Sequence, residues 1–174
     1  GRAAACRGPT SKNATHGVPG MKRRLLPVLV CSMSTAVCAA DLMQDVTGTS
    51  GITLTTTCGT IPSQEILEVN GGGMALLDFD SDGDLDLFVA NGATRDDPEQ
   101  GPGSKLFENI TTGTEIRFRD VTSEAGIDIT RWAMGATAGD YDGDGHVDLY
   151  VTCYGPNILL RNRGDGTFED ATGQ

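Results

Sequence analysis

The chain has 174 residues, enough for one domain, and a formal net charge of −11 at pH 7. All 24 acidic residues follow residue 40, together with seven of the 13 basic ones, so residues 41–174 carry a net charge of −17. A surface this acidic repels nucleic-acid phosphates and anionic lipid headgroups, so we expect no nucleic-acid partner and no membrane insertion, whereas cations are favoured.

The first forty residues are typical of a processing segment. Residues 21–40, MKRRLLPVLVCSMSTAVCAA, combine a basic start, an apolar run from Leu25 to Val37 and small residues at the end, which predicts a signal peptide. The apolar run is shorter than the roughly 20 residues that span a bilayer. A buried strand or helix is the alternative. Residues 1–20 precede a candidate initiator Met21 without any periodic pattern, so we interpret them as a non-native or disordered upstream extension.

The signal peptide predicts that the mature chain, residues 41–174, is secreted and is extracellular or periplasmic. Two of its cysteines, Cys58 and Cys153, could pair in such an oxidising compartment. Cys153, however, shares a predicted strand face with Leu149 and Val151, which favours a buried free thiol equally well. Both alternatives stay open at this point.

The mature part contains an internal repeat. The segment LLDFDSDGDLDLFVANG (76–92) aligns with AGDYDGDGHVDLYVTCYG (138–155), which places Asp78 on Asp140, 62 residues later. Similarity at a fixed period is the signature of a repeat architecture. A second motif accompanies the repeat and occurs as DVTGTSGI (45–52), DVTSEAGI (120–127) and DATGQ (170–174).

Each repeat unit reads as short strands. After the first acidic loop, Leu85, Leu87 and Val89 alternate with Asp86, Phe88 and Ala90, and residues 147–154 and 116–122 alternate in the same way. A period of two predicts β-strands. Units of about 60 residues with about four strands predict an all-β fold of four-stranded antiparallel β-propeller blades, with a β-sandwich as the alternative. The expected domain is an incomplete propeller at 41–174, with about two blades near 64–122 and 126–174.

The acidic loops predict metal binding. Five aspartates within residues 78–86 repel one another unless a cation compensates them. Calcium accepts six to eight oxygen ligands in irregular geometry, whereas magnesium demands an octahedron. A solvated turn without an ion is the alternative. We therefore expect about two calcium ions, held by Asp78, Asp80, Asp82, the carbonyl of Asp84, Asp86, Asp140, Asp142, Asp144, the carbonyl of His146, and Asp148.

The first half of each loop is similar to an EF-hand, but the second half differs. An EF-hand requires a glutamate at position 12 and flanking helices. Here Val89 and Val151 occupy position 12, and a predicted strand follows each loop. The pattern therefore argues against a calcium sensor.

The strings DFDSDGDLDLFVANG, GDYDGDGHVDLYVTCYGPN and NRGDGTFEDAT, with their DVT lead-ins, resemble the FG-GAP/VCBS-type repeats of integrin-α-like β-propellers, and most closely those of the cartilage acidic protein-like family. The resemblance covers residues 42–174. It implies a calcium-stabilised propeller, usually of about seven blades, in secreted proteins with adhesion and recognition roles. The chain is shorter than such a propeller, so we interpret it as a fragment of about two blades, a truncated gene model or a product that assembles with other chains to complete the propeller.

The search for catalytic residues finds no candidate set. His16 precedes the mature part, and His146 lies in a metal loop. The tripeptide Arg163, Gly164 and Asp165 suits a tight hairpin turn better than a ligand site. We predict a secreted calcium-binding interaction module, not an enzyme, with an unknown protein or glycan partner. The alternatives are the propeller portion of an exported, polysaccharide-active enzyme and a calcium-dependent carbohydrate-binding module.

Overall fold

The computed structural model describes residues 44–173, which form two four-stranded antiparallel sheets with almost no helix. The expectations for residues 1–20 and 21–40 lie outside the described residues. Within the described part, no helix is long and apolar enough to cross a membrane. The elements are α1 (Thr47–Ser50), a 3-10 helix (Ile66–Val69), β1 (Met74–Leu77), β2 (Asp86–Val89), β3 (Lys105–Asn109), β4 (Phe118–Asp120), β5 (Ala133–Gly139), β6 (Asp148–Cys153), β7 (Ile158–Asn162) and β8 (Phe168–Asp170).

Each sheet has its strands in chain order, as expected for a propeller blade. Blade 1 is the sheet β1 to β4, and blade 2 is the sheet β5 to β8. The first strands of the two blades, β1 and β5, lie side by side, and the Gly73 N–H donates to the Met134 carbonyl at 3.0 Å. The all-β prediction with incomplete propeller blades is therefore confirmed.

The hydrophobic core lies between the two blades. Blade 1 contributes the face that carries Phe88 and Leu106, and blade 2 contributes the face that carries Leu149 and Val151; all four side chains are fully buried. One face of each sheet is thus removed from water, which supplies the main stabilising term of the fold. The alternate residues of each strand lie on the opposite face of its sheet.

The sequence pattern of β2 suggested Leu85, Leu87 and Val89 as its apolar face. The structure instead directs Phe88 toward blade 2, whereas Leu85 is 55% exposed and Leu87 is half-buried. The alternation could not distinguish the two faces, because both carry apolar residues. Only the position of blade 2 decides which of them is covered.

The first two copies of the DVT motif each form a turn that docks on the fourth strand of the blade that follows. In the second copy, the Ala125 carbonyl accepts the Phe168 N–H of β8 at 2.9 Å. In the first copy, Gly51 has a φ of 83°, and a Cβ there would lie 2.3 Å from the Phe118 carbonyl oxygen of β4. The backbone approaches so closely that only glycine fits. The second copy therefore links blade 1 to blade 2.

Within residues 44–173, Cys58 and Cys153 are free thiols; Cys153 is buried and Cys58 is half-buried. The Cys58 thiol donates to the carbonyls of Leu67 and Asn70 at 3.3 and 2.8 Å. Burial raises the pKa of both thiols above the ordinary value. The alternative of a buried free thiol at Cys153 thus describes the structure.

The segment that leads into blade 1 is organised around the buried side chain of Glu68. Its carboxylate accepts the N–H groups of Thr60 at 2.9 Å, Gln64 at 2.6 Å and Glu65 at 3.0 Å, and the Thr60 hydroxyl at 3.1 Å. These donors favour the ionised form and lower the pKa of Glu68 to about 2.

We expect residues 60–68 to lose this anchor in strong acid. The folded pKa of about 2 lies below the ordinary 4.5, so the stabilisation is complete above pH 4.5 and is lost as the pH falls toward 2. The amide proton shifts of Thr60 and Gln64, followed by NMR from pH 7 to well below 2, should change with a midpoint near 2. The Glu68→Gln variant should lack this transition. A wild-type midpoint near 4.5 would contradict the bonding described here.

Candidate metal centre

The first acidic loop, residues 78–86, connects β1 to β2. Its aspartates accept main-chain N–H groups from within the loop: Asp78 Oδ1 accepts Asp82 N at 3.1 Å, Asp78 Oδ2 accepts Gly83 N at 3.1 Å, and Asp82 Oδ1 accepts Asp84 N at 2.8 Å. Gly83 has a φ of 94°, a conformation that L side chains rarely adopt. The loop is therefore a tight turn that draws its carboxylates inward.

The second loop, residues 140–148, repeats this geometry between β5 and β6. Asp140 Oδ1 accepts Asp144 N at 3.2 Å, and Asp140 Oδ2 accepts Gly145 N at 3.0 Å. Asp144 Oδ1 accepts His146 N at 2.9 Å, and Gly145 also has a φ of 94°. The repeat seen in the sequence is thus a repeat in main-chain conformation.

Among the described residues, each loop gathers three carboxylates whose ligand atoms lie within 4.8 Å of one another. The predicted ligands Asp86 and Asp144 lie outside these groups, and Asp84 and His146 were expected to contribute only main-chain carbonyls. The groups are Asp78, Asp80 and Asp82 in the first loop and Asp140, Asp142 and Asp148 in the second.

The last aspartate of each loop is a buried anchor for the blade, a role that the sequence did not reveal. Asp86 accepts the Phe79 N–H at 3.0 Å and the Asn109 N–H at 2.8 Å, so it joins the loop to the end of β3. Asp148 accepts Tyr141 N at 3.0 Å and a β7 amide at 2.7 Å in the same way. Both aspartates are only 1% exposed.

Two asparagines complete these anchors. Asn109 and Asn162, at equivalent ends of β3 and β7, provide the main-chain N–H that reaches the buried aspartate, and their side-chain amides bind the carbonyls of Leu85 and Val147 at 3.2 and 3.1 Å. The sequence did contain a signal for them, because SKLFENI and NILLRNR both place an asparagine at this position.

Electrostatics in the first loop favour the addition of a cation. Burial raises the pKa of Asp86 to about 6, although the amides of Asn109 and Phe79 oppose the shift. Burial also raises the pKa of Asp80, with smaller contributions from the charges of Asp82, Glu108 and Asp78. A neighbouring positive charge would reverse both shifts.

The donor set fits calcium. Each loop offers carboxylate oxygens and main-chain carbonyls, which are the ligands of hard cations, on an irregular turn rather than an octahedral frame. His146, the histidine of the second loop, has its ring against Gly164 rather than among the loop carboxylates, since a Cβ on Gly164 would lie 2.3 Å from its Nε2 atom. The ring therefore packs on the β7–β8 turn.

That turn contains the Arg163, Gly164 and Asp165 tripeptide, and both charged side chains are engaged within the blade. Arg163 donates two hydrogen bonds to Glu169, at 3.1 and 2.8 Å. Asp165 accepts the N–H and hydroxyl of Thr167 at 3.1 and 2.6 Å. The tripeptide thus serves the hairpin turn, as its sequence context indicated.

We expect Gly164→Ala to destabilise the chain by about 2 kcal/mol more than Gly166→Ala. Both glycines have positive φ, at 72° and 80°, so both variants bear similar backbone strain. Only Gly164 contacts the His146 ring, whereas nothing lies within 4 Å of a Cβ at Gly166. Urea unfolding of the two variants measures the difference, which reports overpacking alone. Equal losses would show that the ring moves freely.

The first loop also takes part in the contact between the blades. The Phe79 side chain is buried, and its ring stacks on that of Phe168 of blade 2 with centroids 6.4 Å apart. The Asn162 side-chain amide donates to the Phe79 carbonyl at 2.7 Å. The equivalent residue of the second loop, Tyr141, is 49% exposed. The first loop therefore supports both its own blade and the next one.

Comparison with known families agrees with this architecture. The family model of the FG-GAP-like repeat matches residues 78–151 and 140–174. The chain belongs to the FG-GAP-like repeat family. Each of the two matches begins at the first aspartate of an acidic loop, so the family pattern includes the loops and the strands that follow them.

A curated relative of this FG-GAP-like repeat chain is cartilage acidic protein 1 of Homo sapiens. The two are 32% identical over 111 residues, which corresponds to 58% of this chain and 16% of the human protein. The chain thus spans about one sixth of the length of the curated relative. The suspected family is confirmed by both comparisons.

Proposed function

We propose that this chain is a secreted calcium-binding β-propeller module for extracellular or cell-surface interaction, in which calcium has a structural role. The observation that carries the proposal is the pair of acidic loops with the same main-chain geometry, each with three carboxylates whose ligand atoms lie within 4.8 Å. Ionised carboxylates at such short distances repel one another, which raises the free energy of the folded state in the absence of a cation. Two loops of this kind support about two calcium ions per chain.

The residues that would hold calcium in the first loop are Asp78, Asp80 and Asp82, with the Asp84 carbonyl and the buried Asp86. Their main-chain hydrogen bonds fix the carboxylates before a cation arrives. Bound calcium would supply positive charge that offsets the repulsion among them. In the second loop the corresponding groups are Asp140, Asp142, Asp144, the His146 carbonyl and Asp148.

We place calcium in a structural role because the first loop reaches across the blade interface. Phe79 lies between ligand positions Asp78 and Asp80, and its ring and carbonyl contact Phe168 and Asn162 of blade 2. A loop held rigid by calcium keeps Phe79 in this position. The ion thus connects the local turn to the packing of two blades.

We propose an extracellular or periplasmic location and a non-catalytic role. The predicted signal peptide, the acidic surface and the relative named for cartilage support this assignment. Such a module would bind an unknown protein or glycan rather than transform a substrate.

A further part of the proposal is that another blade of the same kind packs on the open face of blade 1, where Met74 and Leu76 are 65% and 57% exposed. The lead-in segments support this. Ile127 and Ile129 are buried between blades 1 and 2, whereas their counterparts Ile52 and Leu54 are half-buried. The exposed Met74 and Leu76 and the half-buried Ile52 and Leu54 are apolar residues that such a blade would cover.

The proposal is tested by a calorimetric titration of the chain with calcium, with magnesium as the comparison ion. We expect two calcium sites per chain. Asp80→Asn and Asp142→Asn should each remove one of them, because each variant removes one carboxylate from one loop. A folded chain that binds no calcium would overturn the proposal.

A further inference from the structure

Beside each acidic loop, the third and fourth strands of the blade carry a cross-strand ion pair. In blade 1, Glu108 on β3 pairs with Arg119 on β4. In blade 2, Arg161 on β7 pairs with Glu169 on β8, with 3.2 Å between Nε and Oε1. The signs of the two pairs are exchanged.

Glu108 and Arg161 occupy the same position in their blades. Each immediately precedes an asparagine, Asn109 or Asn162, whose main-chain N–H binds the buried aspartate of its own loop at 2.8 or 2.7 Å. The register of the strands agrees, because β3 and β7 pair with β2 and β6 at corresponding residues. The exchange of charge is therefore a difference between two otherwise matched sites.

In blade 2 this side chain, Arg161, lies beside the second aspartate of the acidic loop. Arg161 Nη1 is 3.9 Å from Asp142 Oδ2, an ion pair in the second loop. Glu108, in contrast, brings a negative charge to the equivalent position in blade 1, one residue before Asn109. One loop thus has an additional anion at this position, and the other has a resident cation.

A second sequence difference also makes the first loop more negative than the second. The position after the glycine of the turn is Asp84 in the first loop and His146 in the second. The first loop therefore has five aspartates with Glu108 nearby, and the second has four aspartates with Arg161 nearby. Attraction for a divalent cation grows with the negative charge of the ligand set.

We propose that the two loops bind calcium with unequal affinity, the first more tightly than the second, because Glu108 and Arg161 stand at the same position with opposite charge. This inference rests on the proposed calcium function. The guanidinium of Arg161 compensates part of the negative charge of the second loop. The affinity of that loop for calcium is therefore lower. The tighter site is the one that contains Phe79 and supports the blade interface.

The first experiment is a calorimetric calcium titration of the full chain at low ionic strength. We expect two steps whose dissociation constants differ by about tenfold or more. Asp80→Asn should remove the tighter step, and Asp142→Asn should remove the weaker one. Removal of the weaker step by Asp80→Asn would overturn the inference and leave the calcium function intact.

The second experiment changes the two charges directly. Arg161→Gln should strengthen the weaker site about tenfold and leave the tighter site unchanged, and Glu108→Gln should weaken the tighter site. Arg131→Gln is the matched control, because Arg131 forms its ion pair with Glu99, at 3.6 Å, and Glu99 belongs to neither acidic loop. Higher salt should reduce both effects but not abolish calcium binding.

The outcomes separate the two proposals. Equal affinities in the wild type, or a weaker site that does not respond to Arg161→Gln, would refute the inference about charge while calcium binding stands. No binding at either loop would refute the calcium function and the inference with it. If Arg161→Gln does not fold, Glu108→Gln tests the same difference from the other blade.

Discussion

Asp86→Ala is expected to lower the free energy of unfolding by about 3 kcal/mol in the absence of calcium. The side chain is 1% exposed and accepts the main-chain N–H groups of Phe79 and Asn109. Its removal leaves two buried donors without a partner and creates a cavity, and each unpaired donor costs about 1–3 kcal/mol. Urea unfolding in a chelator measures the loss, because the chelator separates this structural role from metal binding.

Asp84→Ala is the control for that experiment. Asp84 lies in the same loop, is exposed and takes part through main-chain atoms, so its replacement should change the free energy of unfolding by less than about 0.5 kcal/mol. A loss at Asp84 equal to that at Asp86 would show that the loop responds to net charge alone. The buried anchor would then have no separate role.

Calcium is expected to raise the melting temperature of the chain by more than 10 °C. A ligand that binds only the folded state at 100 times its dissociation constant adds about 2.7 kcal/mol per site, and two sites double this gain. Chelation should reverse the effect. Differential scanning calorimetry with calcium and with a chelator measures it.

The double variant Asp80→Asn with Asp142→Asn should lose nearly all of this increase. Asp128→Asn should retain the increase in melting temperature. This variant removes the charge of an exposed residue in the segment that connects β4 to β5. If the double variant still gained more than about 5 °C from calcium, the stabilising ion would have to bind outside the two loops. A gain lost in Asp128→Asn as well would indicate general screening of the acidic surface.

The turn chemistry of this chain could be predicted from the sequence because its causes are local. Aspartates at alternate positions, followed by a glycine, determine which N–H groups a carboxylate can reach, and Gly83 and Gly145 adopt the same φ of 94°. The two-residue period of β6 likewise predicted Leu149 and Val151 as buried. Spacing over a few residues was sufficient in each case.

The roles of Asp86 and of Glu108 could not be predicted in this way. Asp86 reads as one more loop carboxylate, yet β3 brings Asn109 to it from 23 residues away. Glu108 resembles an ordinary surface charge in the sequence, and its equivalence to Arg161 of blade 2 depends on the register of β3 against β2. The positions of both residues relative to the first loop depend on strand pairing, and strand pairing depends on the whole sheet.

The sequence by itself determined the repeat, the strand content and the two oxygen-rich loops, since each of these depends on residues that are near neighbours in the chain. Only the tertiary structure decided which loop supports the blade interface. Phe79 and Tyr141 are equivalent in sequence, and within residues 44–173 it is Phe79 against which a following blade, blade 2, packs. Burial is a property of what packs against a residue, and the packing of blades lies beyond the reach of local spacing.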